Sequence, residues 1–228
     1  MYKRQIYYVN AKSLAENGTF VIESLPHPLP QTKYPPLFPA MLSIAWLTVP
    51  HYPDNLPYAM FLCWMWLPLT LFAYRRWLQL TELSPDAVML LTAAWALNPY
   101  VVLFSTAMLS EMQFTFFLLA TILFLGRTGK ASEKWYWAAG AGLLAGLAFL
   151  TRTAGVALLP AAFVTYAIRG QWRQLGRFGA GMLPFLIGWA IWSTKNRTGA
   201  TDNVTLYYTN YFGHFLANFQ WKEAYLYI

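Results

Sequence analysis

From Tyr58 to Trp192 the chain alternates between apolar stretches and short connectors. Three of those connectors carry its basic clusters: Arg75 and Arg76; Arg127, Lys130 and Lys134; Arg169, Arg173 and Arg177. That alternation leaves few folds open. Apolar runs close to the lower limit of about 17 residues read as membrane-spanning helices, and the Lys/Arg bias marks those connectors as cytoplasmic. With 57% of its residues apolar and only 11% charged, the chain lacks the polar surface that a soluble domain needs. Its indole rings gather at the ends of apolar runs (Trp64 and Trp66, Trp77, Trp135 to Trp137, Trp189 and Trp192), the headgroup level of a bilayer. The expected fold is all-α: a polytopic transmembrane helix bundle with amphipathic helices on its outer surface.

The basic residues are divided among separate connectors, which argues against a nucleic-acid patch, and no nucleic-acid partner is expected. Cys63 lies inside an apolar run and reads as a small buried hydrophobe. His27, His51 and His214 share no metal-ligand spacing, so no metal site is assigned.

Charge counting sets the order of elements. Residues 6–17 pattern as a short amphipathic helix stopped by Asn17-Gly18, and residues 19–35 form a proline-rich loop. Pro36 to Val49 is apolar but short, and placing it across the membrane would deliver Arg75 and Arg76 to the wrong side. It is therefore expected to lie on the outer surface. About six spans follow: Tyr58 to Tyr74 inward, Asp86 to Leu103 outward, Met112 to Leu125 inward, a tight pair Trp135 to Leu150 and Gly155 to Ile168, and Phe178 to Trp192 outward. Gly140, Gly142 and Gly146 suit close helix packing.

In domain terms, residues 6–57 form a first extracytoplasmic loop, 58–194 the transmembrane bundle and 195–228 a second extracytoplasmic loop. Residues 1–5, Met1-Tyr2-Lys3-Arg4-Gln5, show no helical or strand pattern and resemble translated sequencing-adapter sequence. They are read as a non-native scar, and the chain as an internal piece of a longer protein.

Two charges stand out. Glu111 opens the run Met112 to Leu125, where a carboxylate at the edge of hydrocarbon costs a few kcal/mol. Arg152 sits in the hinge Thr151-Arg152-Thr153 and, on this topology, emerges on the same side as Glu111. Glu111 is either a helix-start acid behind a Ser110 cap or a functional carboxylate. Arg152 is either a snorkelling interfacial arginine or a phosphate donor. Lys33, in Thr32-Lys33-Tyr34-Pro35-Pro36, is either a solvated loop lysine or a second phosphate donor.

Four segments together resemble the large membrane glycosyltransferases of the GT-C type, in particular the protein O-mannosyltransferases and lipid A aminoarabinose transferases. They are Tyr7-Tyr8 with Ala11-Lys12-Ser13-Leu14-Ala15-Glu16-Asn17-Gly18; Lys33-Tyr34-Pro35-Pro36-Leu37-Phe38-Pro39; Pro99 followed by Ser110-Glu111; and Gly146-Leu147-Ala148-Phe149-Leu150-Thr151-Arg152. The resemblance implies sugar transfer from a polyprenyl-phosphate-linked donor, embedded in membrane lipid, to a lipid, glycan or protein acceptor. It also implies a bacterial inner (plasma) membrane location, with the active site on the extracytoplasmic side. Glu111 would then shape the acceptor or metal side, and Lys33 and Arg152 would hold the carrier phosphate, with Tyr34 beside them. No cofactor is implied, and a divalent cation stays open. The family's catalytic Asp would fall near Lys3, so the base is missing here and the piece itself is expected to be inactive. A transporter or flippase would also use an intramembrane acid, but near mid-span and with inverted repeats. A non-catalytic membrane scaffold is the third reading.

Overall fold

The computed structural model describes residues 3–25, 27–128 and 134–197, and among them the chain is helical almost throughout. In chain order the elements are α1 (Lys3–Asn17), β1 (Val21–Ile22), β2 (Leu29–Pro30), α2 (Leu37–Thr48), α3 (Leu56–Trp64), α4 (Trp66–Leu78), α5 (Pro85–Ala96), α6 (Pro99–Thr106), α7 (Glu111–Arg127), α8 (Trp135–Thr151), a 3₁₀ turn (Thr153–Ala157), α9 (Leu158–Ile168) and α10 (Trp172–Lys195). The two short strands pair antiparallel, Val21 opposite Pro30.

Helix α1 starts at Lys3, inside the pentapeptide expected to lack helical pattern. Lys, Arg and Gln are unbranched side chains with good helix propensity, so they extend a helix already nucleated downstream. Its far end stops as expected: Gly18 takes φ 63°, and its N–H bonds the Leu14 carbonyl at 3.2 Å. Helix α2 buries Phe38, Leu42, Ala45 and Trp46 against Tyr7 and Ala11 of α1, while Ile44 and Leu47 face outward. The stripe i, i+4, i+7, i+8 accounts for that division.

Among the described residues two stretches are long and apolar enough to cross a membrane: Leu56–Leu78, which joins α3 and α4 over 23 residues, and α10 with 24. A third appears if α5 and α6 count together, although they bend by 55°. The bend has a local cause. Pro99 has no N–H to continue α5, and the Asn98 side chain accepts the Tyr100 N–H at 2.9 Å, starting a new helix. Six spans are expected from the sequence pattern; among the described residues two or three helices are long and apolar enough by length and composition. Helices α7 and α8 have 17 residues each, about 25 Å at the α-helical rise, which is short of the ~30 Å hydrocarbon thickness.

The core is built from α7 to α10, with Ala138, Ala141, Ala145, Phe117, Tyr166, Phe178 and Met182 buried in it. Small residues set the spacing of α8 and α10. A Cβ on Gly142 would lie 2.0 Å from the Phe178 carbonyl oxygen, one on Gly181 2.3 Å from that of Ala139, and one on Gly146 2.2 Å from the Phe185 ring. The two backbones touch because those carbons are absent. The order 142 against 178 and 146 against 185 makes α8 and α10 parallel, as the expected alternation of spans requires.

Helices α7 and α8 run antiparallel, with Phe124 against Trp137 at one end and Glu111 against Arg152 at the other. One pair departs from the expected alternation. Trp66 packs at a tilt against Phe116 and Phe117, whereas Thr70 donates to the Met112 carbonyl at 3.2 Å. Numbers rise along α4 as they fall along α7, so these helices are crossed or antiparallel where two inward spans would be parallel.

Replacing Gly142 by Val should lower the thermal stability of the detergent-solubilised protein by about 1–3 kcal/mol or prevent folding, the range for overpacked cores. Gly176, with nothing within 4 Å of its would-be Cβ, should accept Ala without loss. Circular dichroism melts of the two variants compare these outcomes directly.

Candidate functional site

Glu111 is the first residue of α7, and Arg152 links α8 to the 3₁₀ turn in an extended conformation, φ −148° and ψ 135°. The antiparallel packing of α7 and α8 brings the start of one beside the end of the other. The turn after Arg152 is tight: its own N–H bonds Ala148 and its carbonyl accepts from Gly155, both at 2.9 Å. A Cβ on Gly155 would press within 2.5 Å of the Phe149 nitrogen, so this position needs glycine. Arg152 Nη1 and Glu111 Oε1 form an ion pair with side chains 31% and 26% exposed. The Arg152 guanidinium also lies over the Phe114 ring at 5.9 Å. In the folded chain Arg152 is thus a partner of Glu111, which neither sequence alternative for it had included.

Glu111 Oε2 is buried and has no hydrogen-bond partner. A carboxylate with one oxygen on a guanidinium and the other unmatched has spare acceptor capacity inside the protein. Ser110 does not cap the helix. Its φ and ψ, −76° and 0°, are already helical, and its hydroxyl makes no cap bond. It meets the Tyr7 hydroxyl at 3.3 Å instead.

Tyr7 is the site residue that sequence reasoning passed over, having entered only as part of the α1 pattern. Its ring packs edge-on against Tyr34 at 5.4 Å and Phe38 at 5.0 Å. Burial pushes its hydroxyl above the usual phenol range. The Ser110 bond and the Arg152 charge pull it down, and the Glu111 charge pushes it up again. Tyr7 therefore lies in the field of both members of the pair and stays neutral. A buried tyrosine hydroxyl needs a partner, and that requirement was the one available signal.

Tyr34 joins the site through Tyr7, and Lys33 joins through Tyr34, with its ammonium 5.4 Å from the Tyr34 ring centre. Their backbone is fixed by Gln31, whose side-chain oxygen accepts the N–H of Lys33 at 2.9 Å and that of Tyr34 at 3.2 Å. The Gln31 carbonyl in turn accepts the Trp192 indole N–H at 2.9 Å, tying this loop to the end of α10. An apolar groove of about 320 Å³ runs from the loop to α10, walled by Phe20, Pro36, Leu150, Phe185, Trp189 and Trp192. Leu150 stands two residues before Arg152 and Pro36 two after Tyr34, so charge and hydrocarbon-like surface are close neighbours. Between α6 and α7, Met108 adopts φ 50°, a conformation that costs a non-glycine residue on the order of 1 kcal/mol.

Among the described residues no group of three His, Cys, Asp or Glu side chains gathers as a metal-ligand set. No protein-family model, curated protein or solved structure matches the chain.

Two outcomes follow from this geometry. In a stability cycle of Glu111→Gln, Arg152→Gln and the double variant, the pair should show a coupling of about 1–2 kcal/mol, between exposed and fully buried pairs. Tyr8, beside Tyr7, donates to Asn55 Oδ1 and is pushed up to about 12 by burial, with Tyr52 adding to the effect. A raised phenol contributes stability that is full below pH 10 and is lost as pH climbs towards 12. Tyr8→Phe should flatten the stability profile across that window in alkaline denaturation.

Proposed function

We propose that this chain is part of an integral-membrane glycosyltransferase that moves a sugar from a polyprenyl-phosphate carrier to an extracytoplasmic acceptor. The observation that supports it most is the Glu111–Arg152 pair, half-buried at the ends of two helices, with a spare carboxylate oxygen and an apolar groove alongside. A polyprenyl phosphate has the matching form, an isoprenoid chain for the groove and an anion for the guanidinium. In the ligand-free protein Glu111 neutralises Arg152; an incoming phosphate would take over that guanidinium, with Lys33 as a second donor. Glu111, relieved of its partner, would turn both oxygens towards the acceptor hydroxyl.

In the transfer step the acceptor oxygen attacks the anomeric carbon, the bond to phosphate breaks, and the carrier phosphate leaves with the electron pair. Cationic groups stabilise that leaving charge, and a carboxylate receives the hydroxyl proton. Such an enzyme needs a catalytic aspartate, which the resemblance places near Lys3 and which none of the described residues supplies at that position.

The test uses the intact protein, with transfer measured from a polyprenyl-phosphate-linked sugar. Glu111→Gln and Arg152→Ala should each lower turnover by about 100-fold or more, the scale of losing an acid–base or charge-stabilising group. A single cooperative unfolding transition, lowered by no more than loss of the ion pair accounts for, would show that the fold survives. Unchanged turnover in both variants would take these residues out of the site and the proposal with them.

A further inference from the structure

Helix α4 ends with Phe72, Arg75, Arg76 and Gln79 along one face, the i, i+3, i+4, i+7 spacing. Together these four line a groove of about 220 Å³. The Arg76 guanidinium sits 5.3 Å over the Phe72 ring and donates to Gln79 Oε1 at 3.3 Å, which holds it in place while leaving most of its N–H donors outward. Among the described residues neither arginine has a carboxylate partner, and Glu82 and Asp86, the next acids along the chain, pair with neither. Two adjacent guanidinium groups thus face outward without a counter-charge.

The surroundings say what the counter-charge is. The groove closes the stretch Leu56–Leu78, which is long enough to cross a bilayer. Phe72, one turn before the arginines, is 60% exposed, and Leu69 and Trp77 are exposed beside it. An apolar ring followed by two arginines and an amide, at the end of a membrane helix, matches a lipid read from acyl chain to headgroup. We propose that this groove binds the phosphate of an anionic phospholipid, with Arg75 and Arg76 on the headgroup and Phe72 against the upper acyl chain. The forked donors of arginine suit a phosphodiester, and Gln79 supplies a neutral contact beside it. The site is independent of the Glu111–Arg152 pair and of any transferase activity.

The experiment is thermal unfolding of the purified full chain in an uncharged detergent, titrated with phosphatidylglycerol, phosphatidylcholine or inorganic phosphate. Phosphatidylglycerol should raise the melting temperature in a saturable way, and the other two should not. Arg75→Gln/Arg76→Gln should weaken the apparent phosphatidylglycerol affinity by about 30-fold, the scale of two basic contacts at an anionic surface. Each single variant should weaken it about fivefold by the same scale, which keeps the test open if the double variant fails to fold. Equal shifts with phosphatidylcholine, an equal shift with inorganic phosphate, or an unchanged affinity in the single variants would each overturn the proposal.

Discussion

The contact of α8 with α10 through missing side chains sets the position of everything else. Gly142, Gly146 and Gly181 let two backbones meet where a bilayer offers no hydrophobic force to press helices together. Because α8 is held there, its last residue, Thr151, is fixed, and Arg152 must leave the helix at that point. Because α10 is held there, Trp189 and Trp192 stand over the proline-rich loop. The ion pair, the groove and the loop carrying Lys33 and Tyr34 all depend on the same few close approaches. Packing in this protein is thus a matter of backbone distance more than of side-chain volume.

Much of the fold was legible because it is written in strong local signals. Long apolar runs read as helices, Gly18 as a stop, and the small-residue face of α8 as a packing face. What was hidden depended on contacts distant in sequence. Ser110 looked like a cap because Ser followed by Glu is a helix-start pattern, but the Tyr7 hydroxyl from another helix claimed it. Lys3 to Gln5 lacked an apolar stripe, yet a helix once begun needs only propensity to continue. Periodicity and hydropathy mark helices without fixing whether each is long enough to cross, so six apolar runs correspond to two or three helices of spanning length among the described residues. The crossing of α4 over α7 rests on Trp66 and Thr70 meeting particular partners, and no rule of alternation encodes it.

For the site, sequence alone supplied the charged residues but not their relation. Glu111 and Arg152 were legible as same-side helix-end charges, and their direct pairing came from the antiparallel order of α7 and α8. That pairing changes the chemistry. A lone arginine at an interface attracts any anion, whereas one neutralised by a carboxylate attracts only an anion that can displace it. Tyr7 adds a neutral hydroxyl within the field of both, a residue type too common in this chain to stand out.

The indole of Trp192 reaches back across 161 residues to the Gln31 carbonyl. During synthesis at about 5–20 residues per second, roughly 10–30 s separate the emergence of those two partners. For that interval the early loop lacks its latch on α10. The region that gathers Lys33, Tyr34 and the groove therefore gains this latch only after α10 has been made.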